Sequence, residues 1–89
     1  MSNKEVIKRF VEGLSGKSSN GNLSISLDGQ RLINYNTWIA QRVGYGKYVF
    51  NRTKYSTSTS KIQSYVAYYL KTEKYKEVTD VPINSMYLA

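Results

Sequence analysis

Neither cysteine nor histidine occurs among the 89 residues of this chain, and that absence limits how it can hold itself together. No disulfide can staple the fold, and a structural zinc site lacks its usual ligands. A chain this short forms one domain, residues 1–89, and buries only ~60% of the surface it exposes when unfolded. Its stability must come from helix packing, a small sheet, or association with a copy of itself. The same absence removes the two most versatile catalytic and metal-binding side chains and leaves only six carboxylates. No metal and no other cofactor is expected. Lack of cysteine suits a reducing compartment.

Thirteen Lys and Arg give a formal charge of +7, and they are spread along the chain together with nine tyrosines. A basic surface with aromatic side chains among the charges suits binding to polyanions or to protein–nucleic-acid assemblies better than catalysis. No segment approaches the roughly 20 apolar residues of a membrane span. The first residues carry Lys4, Glu5, Lys8, Arg9 and Glu12, which the core of a signal peptide would not tolerate. The expected location is therefore the cytoplasm, that of the host cell if the protein is viral.

The pattern along the chain predicts an α+β domain. Ser2-Asn3-Lys4-Glu5 has capping-box spacing, and Val6, Ile7, Phe10, Val11 and Leu14 follow on one helical face. Gly13 and Gly16 are placed to end that helix. Leu23, Ile25 and Leu27 alternate with polar residues up to an Asp28-Gly29 turn, as in a half-buried strand. Arg31 to Val43 reads as one long strand, with Ile33, Tyr35, Thr37, Ile39 and Val43 on one face. Gly44-Tyr45-Gly46 should turn the chain into a third strand, Lys47 to Arg52. The result is a three-stranded antiparallel sheet.

Ser60-Lys61-Ile62-Gln63 reads as a second capping box, opening a helix with Ile62, Tyr65, Val66, Tyr69 and Leu70 on its apolar face. That spacing predicts Tyr65 and Tyr69 buried, with Lys71 and Lys74 near the helix end, while Tyr45, Tyr68 and Tyr75 are expected on the surface. Beyond it, Glu77 to Val81 fits an edge strand that Pro82 would limit.

Two stretches carry a resemblance. They are Leu32-Ile33-Asn34-Tyr35-Asn36-Thr37-Trp38-Ile39-Ala40 and Asn51-Arg52-Thr53-Lys54-Tyr55-Ser56-Thr57-Ser58-Thr59-Ser60-Lys61-Ile62-Gln63. Here the chain resembles a group of small phage and archaeal-virus proteins of unassigned function. Their pattern is roughly L-x-x-Y-x-T-x-I-A, a short hairpin, then N-x-x-x-Y-S-x-T-T-S-K-x-Q. The likeness runs from Leu23 to Tyr65, and Ser58 stands where the group more often has threonine. It implies an origin in a mobile genetic element and supplies no catalytic residues. Small phage accessory proteins often block host machinery, anti-CRISPR proteins among them, and that expectation is by analogy.

Three local features are candidates for function. The start of the second helix, with the hydroxyls of Ser56 to Ser60 and the cations Arg52, Lys54 and Lys61, has the composition of an anion site. Helix capping explains the same serines more simply. A second feature is tyrosine interleaved with cations: Arg42, Tyr45, Lys47, Tyr48, Arg52, Lys54 and Tyr55. Aromatic faces there can stack on bases while the cations meet phosphates, or can serve a protein interface. Against that stands ordinary packing of Tyr48, Phe50 and Tyr55. The third feature is Trp38, the one tryptophan, which is either an exposed anchor or the centre of a second small core under the tail or first helix.

Catalysis finds little support. Gly44-Tyr45-Gly46-Lys47 is a fragment of a phosphate loop at most, and Ser60-Lys61 are sequence neighbours that would not face each other. A catalytic reading would need Tyr and Lys side chains gathered around Asp28, Glu73, Glu77 or Asp80.

The leading expectation is a non-enzymatic accessory protein that inhibits a host defence nucleoprotein through a basic, tyrosine-rich face. Trp38, Arg42, Tyr45, Lys47, Arg52, Lys54 and Lys61 are its contact residues. Direct DNA or RNA binding in phage replication or transcription is the alternative, and a homo-oligomeric structural protein is a third. No membrane partner is expected.

Overall fold

The first helix, α1 (Asn3–Val11), begins where its capping box predicts. The Ser2 hydroxyl accepts from the Glu5 amide at 3.2 Å, and the Glu5 carboxylate accepts in return from the Ser2 amide. Two of the amides that a helix start leaves without partners are thereby satisfied. The Ser2 amide first, and the Ser2 hydroxyl after it, hold the Glu5 carboxyl below its ordinary pKa. Val6, Ile7 and Phe10 are buried. The helix ends at Val11, Gly13 takes a positive φ of 79°, and Leu14 stays exposed beyond the last turn.

The computed structural model describes residues 1–82. In them a sheet of five strands runs in the order β1 (Leu23–Ile25), β2 (Arg31–Asn34), β3 (Thr37–Gly44), β4 (Lys47–Asn51) and β5 (Lys74–Val78). The first four pair antiparallel. A second helix, α2 (Thr57–Leu70), then carries the chain across the sheet, and β5 returns parallel to β4. The α+β class is as expected, while the three-stranded sheet is corrected to five strands.

Two of the corrections lie in the stretch expected to be one long strand. Tyr35 and Asn36 both hold positive φ, at 50° and 68°, between the paired residues Asn34 and Thr37. A two-residue hairpin turn of the primed kind requires that geometry, and it splits Arg31 to Val43 into β2 and β3. Asn22 anchors the turn: its carbonyl accepts from the Tyr35 amide at 3.0 Å and from the Asn34 side chain at 3.0 Å. Its own side-chain amide donates to the Tyr35 hydroxyl at 2.8 Å.

Downstream, Leu32 pairs with Ala40 and Ile33 with Trp38, which leaves Ile39 as the extra residue of a bulge. A second irregularity falls between Arg42 and Gly44, at Val43. Each bulge resets the alternation of faces. Ile39 and Ala40 are consequently both buried, Arg42 turns toward the helices, and Val43 stays half exposed.

The remaining expectations shift by a few residues. β1 stops at Ile25, because Ser26 is already bonded into the turn, and Leu27 is fully exposed. α2 starts at Thr57 with Ser56 as its cap, four residues before the expected cap Ser60, and it ends at Leu70, so that Lys74 belongs to β5. The edge strand, expected at Glu77 to Val81, lies at Lys74–Val78, where the Tyr75 ring meets Phe50 edge-on at 6.0 Å. Residues 83–89 of the tail lie outside the described residues.

Both helices pack on one face of the sheet. Val6, Ile7 and Phe10 of α1 and Ile62, Val66 and Leu70 of α2 meet Leu23, Ile25, Leu32, Ile39, Tyr48 and Phe50. Tyr65 and Tyr69, expected to be buried, are half-buried at the edge of this core. On the opposite face Asp80, at a φ of 61°, turns the chain back, so that Val81 lands on Val49 beside Trp38 and Val78. Two hydrogen bonds fix it there, from the Val81 amide to the Thr53 hydroxyl and from the Tyr55 hydroxyl to the Val81 carbonyl.

Candidate functional site

The seven residues singled out from the sequence do not form one surface. Arg42 is spent inside the fold: its guanidinium donates to the Phe10 and Gly29 carbonyls and to the Tyr48 hydroxyl. It also lies over the rings of Phe10 and Tyr48, with centroids 5.2 and 5.3 Å away. A cation at the last carbonyls of α1 complements the helix dipole. Arg42 therefore ties the C-terminal end of α1 to β3.

Trp38 lies on the sheet face away from the helices. The Arg31 guanidinium covers its ring at 4.5 Å, and Val49 and Val81 pack beside it. It sits in a small second core under the chain that follows β5. Arg52 lies over Phe50 and pairs with Glu77 at 3.6 Å.

Lys54 lines a recess of about 350 Å³ with Asn34, Tyr35, Tyr55, Ser56 and Thr59 at the start of α2. There the hydroxyls serve the fold. Ser56 accepts from the Thr59 amide, and the Thr59 hydroxyl donates to Asn34 Oδ1 at 3.0 Å. Ser60 lies within the helix, its amide bonded to the Ser56 carbonyl. Lys61 lines a separate polar recess with Asn3, Asn20 and Asn22. The hydroxyl run thus makes a capped helix start, and Lys54 and Lys61 point into different recesses.

Tyr45 and Lys47 remain, at the far end of β3 and β4 from Lys54. Tyr45 is fully exposed at the hairpin tip, and Lys47 opens β4. The fold adds two cations that the sequence reading left out. In the parallel ladder Lys47 stands directly beside Lys74, and Val49 beside Lys76. All three lysines are exposed and share the face away from the helices, since register partners and residues two apart lie on one side. Among the described residues the ion pairs are Arg31–Asp28 and Arg52–Glu77, and neither involves this trio.

Between the lysines the sheet surface forms a shallow trough of about 290 Å³, lined by Val43, Lys47, Val49, Lys74 and Lys76 and by Tyr48 and Tyr75, whose rings lie toward the helix side. Val43 reaches it because its bulge releases it from the regular alternation. A Lys-x-Lys pattern in a strand always places both cations on one face. That signal was present in Lys74-Tyr75-Lys76, but nothing in the sequence paired it with Lys47.

No group of three or more His, Cys, Asp or Glu residues able to hold a metal ion occurs among the described residues. No helix there is long and apolar enough to cross a membrane. Comparison with protein-family models, with curated proteins and with solved structures finds no match to this chain.

Proposed function

We propose that this protein is a non-enzymatic viral accessory protein that binds nucleic acid within a host defence nucleoprotein and so blocks it. The proposed contact surface is the lysine trio Lys47, Lys74 and Lys76, with Tyr45 exposed at the hairpin tip that precedes Lys47. The observation that carries this reading is the side-by-side placement of Lys47 and Lys74, with no acidic partner among the described residues. Like charges directly opposite in a ladder oppose strand pairing. A polyanion laid across them turns that cost into attraction, and each phosphate contact releases counterions.

The same trio argues against self-association along β5. Pairing that edge with a copy of itself would bring further lysines together, and lysines are a common device for keeping sheet edges apart. Free viral or host nucleic acid is the second reading, favoured by the same lysines and separable by experiment.

An RNA-guided interference complex, prepared with and without its guide, tests the proposal in a binding assay. The loaded complex should bind the protein and lose target cleavage, and a Lys47→Gln/Lys74→Gln/Lys76→Gln variant should do neither. Binding that ignores the guide, or that survives in the triple variant, would contradict the proposed contact.

A further inference from the structure

We infer that the trough between Val43 and the three lysines accepts single-stranded nucleic acid in preference to duplex, with a base resting on the apolar floor. The inference rests on the proposed function and adds the form of nucleic acid that this surface takes. The apolar surface it offers is chiefly Val43, 49% exposed, because Val49 is 6% exposed and already packed against Val81. The walls are the lysines, whose aliphatic stems cover apolar surface while their ammonium groups stay in water. Such a surface matches a ligand with an apolar, flat part and negative charge on either side of it.

Base pairing decides which form of nucleic acid fits. In a duplex the bases are stacked inward, so contact would engage the lysines alone and leave Val43 wet. The residues that line the trough all belong to β3, β4 and β5, so none of them presents a helix to a groove. A single strand presents bases that can leave water one at a time, while its backbone tracks the cations.

Fluorescence anisotropy with labelled single-stranded and duplex oligonucleotides of one sequence, at physiological salt, tests this with three proteins. They are the unaltered chain, Val43→Ser and the triple Lys→Gln variant. Burial of a base should favour the single strand by roughly tenfold or more. Val43→Ser should lower single-strand affinity and leave duplex affinity unchanged, and the triple variant should lose both. Val43 is half exposed in a bulge, so serine there leaves the core intact, and circular dichroism verifies the fold of each variant. Equal, lysine-dependent affinity for both forms would overturn this inference and leave the proposed function standing. Absence of binding, or binding that the triple variant retains, would overturn both. Displacement of the oligonucleotide by poly-glutamate of equal charge would show that the trough reads charge alone and would also overturn the inference.

Discussion

Asp28 shows how much one side chain can organise in this protein. It accepts from the Ser26 hydroxyl at 2.6 Å, from the Gln30 amide at 3.0 Å and from the Arg31 guanidinium at 2.6 Å, which closes the β1–β2 turn. These bonds, the Ser26 hydroxyl first, hold its carboxyl down at about 2. A carboxyl depressed in the folded state stabilises above the ordinary value of ~3.9, and the contribution fades as pH falls through the folded value. Thermal melts of the protein and of Asp28→Asn should therefore differ above about pH 4 and converge toward pH 2. A constant difference down to pH 2 would show that the carboxylate's charge is not what closes the turn. The Asp28-Gly29 turn was legible because its signals are local. The role of Arg42 was not, since the carbonyl it caps belongs to Phe10, far away in the chain.

At the scale of elements, both helices were legible from spacing, and their caps show where local rules stop deciding. α1 has one serine at its start and one reading. α2 has five consecutive hydroxyl residues, Ser56 to Ser60, each chemically fit to cap. Tertiary structure makes the choice, because Asn34 accepts from the Thr59 hydroxyl and that contact places Thr59 inside the helix. Ser56→Ala should then cost about 1 kcal/mol, lowering the melting temperature by about 4–8 °C for a domain of this size. Ser60→Ala should stay within about 0.5 kcal/mol. Reversal of the two in calorimetry would move the helix start to Ser60. The long strand misled for a related reason. Tyr35-Asn36 lacks the glycine that usually marks a two-residue turn, and Asn22, from another part of the chain, holds it in place. The bulge at Ile39 then removed the strict alternation on which the reading relied.

The described residues form a sheet with two helices on one face and the small Val49–Val81 cluster on the other, and the proposed function belongs to that second face. The amount of basic charge was legible in the sequence, whereas its distribution depends on pairing. Parallel pairing across α2 puts Lys74 beside Lys47, two residues separated in the chain by the whole of that helix. The same arrangement disperses the cations first singled out, spending Arg42 on α1 and Arg52 on Glu77. The central claim is that Lys47, Lys74 and Lys76 form one phosphate-binding surface. Its most direct test is the salt dependence of oligonucleotide binding, measured by anisotropy for the protein and for the triple Lys→Gln variant. Each phosphate contact to a single strand adds about 0.7 to the slope of log K against log salt, so the variant's slope should be shallower by about 2. Equal slopes in the two proteins would contradict the account and place the nucleic-acid contact, if there is one, elsewhere on the surface.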